Sequence, residues 1–165
     1  MNCGLGSTDK KANILKNLRI VGKKIKTKSK DIVLLNQIHS NKFHYISKNS
    51  KFYNKIEGDA LITNKRNTPI AVLTADCAPI LIYDESKEII AAVHAGWKGA
   101  YKGIVTKVIK FMIKKDCSPK NITAAIGPCI SSNNYEVKED FIKKFIKKDK
   151  KNITFFKKTK NKNYF

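Results

Sequence analysis

Five short apolar runs, each closed by turn-forming or polar residues, limit what this chain can fold into more than any other feature. They read Asp59-Ala-Leu-Ile-Thr63, Ile70-Ala-Val-Leu-Thr74, Pro79-Ile-Leu-Ile-Tyr83, Glu88-Ile-Ile-Ala-Ala-Val-His94 and Ile122-Thr-Ala-Ala-Ile126. Runs of this length suit strands buried on both faces. Asp31-Ile-Val-Leu-Leu-Asn-Gln37 and Phe43-His-Tyr-Ile46 are predicted as two further strands. Helical periodicity is clearest over 101–115, where Ile104, Val105, Val108, Ile109, Met112 and Ile113 make one stripe. Ser7, Thr8 and Asp9 supply N-cap candidates for a helix reaching Lys24, with Ile14, Leu15, Leu18 and Val21 on its inner face. A further amphipathic helix is predicted over 138–148, turning Phe141, Ile142 and Phe145 inward. Strands gathered between helices favour a mixed α+β layer structure over a regular βαβ alternation.

A chain of 165 residues fits one domain and can bury about 70% of the surface its unfolded form exposes. The basic C-terminal segment 147–165 is expected to have no core of its own. A net charge of +21 would ordinarily suggest a nucleic-acid partner. Its makeup argues against a specific one. Of 34 basic residues only Arg19 and Arg66 are arginine, the forked cation that specific phosphate and base readers favour. With 15 asparagines beside the lysines, a coding bias toward AT-rich codons and a solvated lysine coat account for the charge. Cys3, Cys77, Cys117 and Cys129 form no C-x-x-C pair. The N-terminus does not read as a secretory signal, and no run approaches the roughly 18 apolar residues of a membrane span. A cytoplasmic location with free thiols and no membrane partner is the expectation.

Polar residues at the ends of the apolar runs are the candidates for chemistry. In Leu73-Thr-Ala-Asp-Cys-Ala-Pro79 the thiol of Cys77 sits at a break between two runs, because Pro79 disfavours a helical conformation in the residue before it. An inert buried cysteine would read the same way. Val93-His-Ala-Gly-Trp-Lys-Gly-Ala100 places His94 at a strand end, before a glycine-bearing turn into a helix. Gly96 and Gly99 permit close approach of the backbone to a ligand, and the first amides of that helix with Lys98 make an anion cradle. A core histidine bonded to backbone is the alternative. His39 closes the run before Ser40-Asn41, whereas His44, five positions on and flanked by Phe43 and Tyr45, reads as structural. Two imidazoles and one thiolate form a three-ligand set that leaves a fourth position open, as in catalytic zinc sites. His39, Cys77 and His94 lie too far apart in sequence for a local ligand motif, so only folding can unite them.

Taken in order, Gln37-Ile-His-Ser40, Gly58-Asp-Ala-Leu-Ile-Thr63, Ala71-Val-Leu-Thr-Ala-Asp-Cys-Ala-Pro79, Ala92-Val-His-Ala-Gly-Trp-Lys-Gly99 and Ile126-Gly-Pro-Cys129 resemble the laccase-domain, or YfiH-like, family, long labelled multicopper polyphenol oxidases. The resemblance covers residues 2–137. It implies a four-layer α/β/β/α fold with mixed sheets, related to cytotoxic-necrotizing-factor-like cysteine hydrolases. It also implies a zinc-dependent purine nucleoside phosphorylase acting on adenosine, inosine, guanosine and methylthioadenosine, with adenosine deaminase activity. Purine nucleoside and phosphate would then be its small-molecule partners. The family's metal ligands match His39, Cys77 and His94. Beside them, Lys98 would give electrostatic support, Asp76 would orient a ligand or simply cap a turn, and Trp97 would stack on a base or simply pack. Cys129 would line the pocket or serve as a structural thiol.

Relative to the family the domain is expected to be incomplete at both ends. It lacks the Ser-Thr-Arg-x-Gly-Gly element that precedes the position of Met1-Asn2, and it stops at Tyr164-Phe165 where members continue. An inactive shortened homologue is therefore one expectation. Some bacterial members are credited with editing peptidoglycan precursors, which makes a metal-free cysteine hydrolase, with His94 deprotonating Cys77, a second reading. A copper-dependent polyphenol oxidoreductase is a third, with Met1 or Met112 as the axial ligand a blue-copper centre needs.

Overall fold

The computed structural model describes residues 1–47, 56–158 and 164. They divide into two compact units, Met1–Pro128 and Cys129–Phe165. The first opens with helix α1 (Lys11–Lys24). Its N-cap residue is Lys10, which makes no side-chain capping bond, so none of the three expected caps takes that position. Asp9 acts one residue earlier, its carboxylate accepting from the Lys10 amide at 2.7 Å and from the Asn13 side chain at 3.0 Å. Ile14 and Leu18 are buried, but Leu15 is 40% exposed, so the inner face is narrower than the apolar pattern suggests.

The apolar runs build a five-stranded mixed sheet from β1 (Phe43–Ile46), β2 (Ala60–Thr63), β3 (Ala78–Asp84), β4 (Ile89–Ala95) and β5 (Ile122–Ile126). Its order is β1-β2-β4-β3-β5, with β1 and β2 parallel and the other neighbours antiparallel. The mixed α+β class is as expected, and among the described residues this is the sheet that forms. Two expected strands, 31–37 and 70–74, are reduced to isolated parallel bridges, Val33 with Ile70 and Asn36 with Glu57. The reason is local. After Ala71 donates to the Val33 carbonyl at 3.0 Å, pairing passes from backbone to side chain. The Gln37 amide donates to the Leu73 carbonyl and accepts from the Leu73 N–H, both at 2.7 Å.

Helix α3 (Ile104–Ile113) stands within the helix expected over 101–115, and helix α2 (Trp97–Tyr101) precedes it where a glycine-bearing turn was expected. Gly103 between them takes a left-handed conformation at φ 75°, which interrupts the helical hydrogen bonding. Ile104, Val108 and Met112 of α3 are fully buried against Ala60, Ile62, Ile82, Ala91 and Val93 of the sheet. The opposite sheet face is covered over β1 and β2, where Leu61 and Ile46 meet Leu35, Val33, Ile56 and Ile70. Over β3 and β5 it is open: Leu81 is 57% exposed and Tyr83, Ile90 and Ala125 are exposed with it. Burial on both faces therefore holds for β2 and for most of β4 but not for β3, whose Ile82 is buried while Leu81 and Tyr83 are exposed, nor for β5, where only Ile122 packs on the core and Ala124 and Ile126 of the same face are exposed.

The second unit holds helix α4 (Glu139–Lys148), followed by a 3-10 segment, Lys150–Phe155. Ile142 is buried, and Phe141 and Phe145 are half-buried. Their rings meet Phe156 at 6.2 and 5.9 Å, so the basic tail contributes an aromatic residue to a small cluster. Residues 159–163 and 165 of that tail lie outside the described residues. Among the described residues no helix is long and apolar enough to cross a membrane.

Candidate metal centre

Two ladders of the sheet bring the chemistry together. β2 pairs with β4 so that Ala60 faces Val93, and one residue further the His94 amide donates to the Asp59 carbonyl at 2.7 Å. β3 pairs with β4 so that Ala78 faces Ala95, which carries Cys77 alongside Gly96. Cys77 thus stands just before a strand at a bend, as its place ahead of Pro79 implies. His39 arrives from a third direction. Instead of ending a strand it sits in a bend at φ 55°, the left-handed region that is uncommon for residues other than glycine. The loop that carries it rests on α2: the Asn41 amide donates to the Lys102 carbonyl at 2.8 Å, and a Cβ on Gly99 would lie 2.7 Å from the Ser40 carbonyl oxygen.

The three side chains converge. One ligand atom from each of His39, Cys77 and His94 lies within 4.8 Å of the others, and the two imidazole rings meet edge to face at 4.8 Å. Gly96 forms the floor of the cluster. A Cβ there would lie 2.9 Å from His39 Cδ2 and 3.0 Å from Cys77 Sγ, so the absent side chain leaves room for the group to close. Zinc bonds of about 2.0–2.3 Å to nitrogen and sulfur require a modest inward movement of these side chains. A soft sulfur with two imidazoles is a donor set that suits zinc and also copper.

Asp59 ties the cluster together, and sequence reasoning missed it. Its side chain is fully buried. Oδ1 accepts from the His39 amide at 2.9 Å and from His94 Nδ1 at 2.8 Å, while Oδ2 accepts from the Ser40 amide at 2.5 Å and the Ser40 hydroxyl at 2.7 Å. Burial pulls its pKa upward, but the bonds from Ser40, His94 and the His39 backbone outweigh burial and hold it below the usual carboxylate range. With Nδ1–H donating to Asp59, Nε2 is the nitrogen of His94 left for a ligand. Cys77 is pushed the other way: burial raises its pKa, helped by the negative charges of Asp76 and Asp59. Carboxylates that hold a proton on a free thiol also favour a cation beside it.

A family model described as multi-copper polyphenol oxidoreductase laccase matches residues 1–165. The chain belongs to that family. Among curated relatives, a purine nucleoside phosphorylase of Rickettsia prowazekii is 37% identical over 145 residues, covering 88% of this chain and 58% of the relative. One of Clostridium acetobutylicum is 43% identical over 117 residues, covering 70% of this chain and 48% of the relative. The chain therefore spans about half the length of the curated relatives it matches. Its fold is that of the hypothetical protein YfiH of Bacillus licheniformis, with a TM-score of 0.89 at 28% identity over 99% of this chain and 64% of that one. A Neisseria meningitidis protein superposes with a TM-score of 0.81 at 27% identity, again over 99% of this chain and 64% of that one.

The other candidates in this laccase-family chain lie outside the three-residue cluster. Asp76 is exposed and acts on Cys77 through its charge. Trp97 and Lys98 open α2 directly after Gly96, and the Lys98 ammonium lies 5.7 Å from the centre of the Trp97 ring. His44 has its Nε2 2.9 Å from the Glu57 carbonyl oxygen and stays out of the cluster, in keeping with its structural reading. Met112, on the inner face of α3, is fully buried in the core. Cys129 is exposed and belongs to the second unit.

Proposed function

We propose that this chain carries the zinc centre of a purine nucleoside phosphorylase, with His39, Cys77 and His94 as the ligands. The single observation behind this reading is the convergence of two imidazoles and one thiol on a space kept free by Gly96. The purine nucleoside phosphorylase names of the curated relatives support it. A zinc ion held by these three residues would supply a Lewis acid.

The chain's own residues do the rest. Asp59 holds His94 through Nδ1, so that Nε2 faces the cluster. Lys98, two residues after Gly96, would give a positive charge for phosphate, Trp97 an aromatic face for a purine and Asp76 a carboxylate for a polar substrate group. In phosphorolysis of adenosine the bond from C1′ to the base nitrogen breaks and a phosphate oxygen bonds to C1′. Adenine leaves with a proton, and ribose-1-phosphate remains. Deamination of adenosine is the accompanying activity: water replaces the exocyclic amine, giving inosine and ammonia.

Incubating the zinc-loaded protein with adenosine, with and without phosphate, tests the proposal. Adenine and ribose-1-phosphate are expected only when phosphate is present, and inosine in both cases. Both should fall to background in Cys77→Ala. Adenosine recovered unchanged under every condition would overturn it.

A further inference from the structure

The geometry points to Asp59 as the positioning residue of the cluster: one buried carboxylate that sets the tautomer of His94 and the backbone of His39 together. This deepens the proposed zinc reading and, in its consequence for metal binding, rests on it. Each histidine needs a different kind of restraint. His94 lies on a strand, so its backbone is already held by two ladders, and what remains open is which ring nitrogen carries the proton. The 2.8 Å contact from Asp59 Oδ1 to Nδ1 settles that in favour of Nδ1–H, leaving the Nε2 lone pair free. His39 lies in a bend, so its ring position depends on a backbone conformation that costs about 1–3 kcal/mol for a residue other than glycine. Asp59 accepts from the amides of His39 and Ser40, the two N–H groups that this left-handed turn directs inward.

The carboxylate cannot be replaced by its neutral isostere. Two of the four donors meet Oδ1 and two meet Oδ2, and every donor is an N–H or O–H. An asparagine has one acceptor oxygen. In either orientation its NH2 would face donors, opposite His39 and His94 in one and opposite Ser40 in the other. Oδ1 of Asp59 is also the atom that both histidine segments share. Losing it would loosen both ligands together, an effect that removing either histidine alone would not produce.

Two measurements test this. Long-range 15N–1H spectra of the metal-free native protein, recorded well above the ordinary histidine pKa of about 6.5, should show His94 as the Nδ1–H tautomer. An Nε2–H tautomer would overturn the proposal without any variant having to fold. Zinc affinity, read by competition with a chromophoric chelator, should then fall about 10–100-fold in Asp59→Asn, and its His94 should lose the single tautomer. Native affinity retained within threefold in a folded Asp59→Asn protein would equally overturn the proposal. Failure of the native protein to bind zinc would refute the metal reading instead, and the tautomer spectrum would still decide what Asp59 does.

Discussion

At the scale of single residues, the centre depends on one missing side chain. Gly96 has φ −67° and ψ 160°, a conformation open to any residue, so its backbone does not require glycine. The space does. A methyl group there would press on His39 Cδ2 at 2.9 Å and Cys77 Sγ at 3.0 Å. Gly96→Ala should therefore leave the chain folded, at an overpacking cost of about 1–3 kcal/mol, while separating the ligands. Zinc affinity is expected to drop at least about tenfold, by analogy with the loss of a group that orients a ligand. Unchanged affinity in a competition titration would show that the ion does not sit over Gly96. The sequence reads Gly96, with Gly99, as permitting close approach of the backbone to a ligand; at Gly96 the close neighbours are the His39 and Cys77 side chains.

At the scale of elements, the proposed ligands Cys77 and His94 are placed by strands β3 and β4, and His39 by a bend that side-chain bonds splice to them. β2, β3, β4 and β5 were legible because their apolar runs are short and sharply bounded, and α3 because its stripe repeats over three turns. The break at Gly103 was less visible, since a glycine inside an apolar helical pattern is often tolerated. Asp59 was not visible as a partner of the ligands. A carboxylate ahead of an apolar run looks like a turn residue until pairing of β2 with β4 sets it beside His94. Gln37 was hidden for the same reason. Its two bonds to Leu73 take the place of a backbone rung between the His39 and Cys77 segments. Gln37→Ala leaves the Leu73 N–H and carbonyl without those partners, at an expected cost of about 1–3 kcal/mol. Urea unfolding measures it. A loss below about 0.5 kcal/mol would mean that water replaces the splice without penalty.

At the scale of the whole molecule, one sheet has two unlike faces. Beneath α3 it is a packed core, and beyond Leu61 it opens into an apolar surface of Leu81, Tyr83, Ile90 and Ala125. The net charge of +21, nearly all of it lysine, is expected to give weak, salt-sensitive attraction to polyanions. The centre itself belongs to this scale, because His39, Cys77 and His94 come from separate stretches of chain and meet only when the sheet is complete. X-ray absorption at the zinc edge of the loaded protein tests that meeting most directly. One sulfur at about 2.3 Å and two imidazole nitrogens at about 2.0–2.1 Å are expected around each ion. A shell of nitrogen and oxygen with no sulfur would contradict the account, since the ion would then be bound without Cys77.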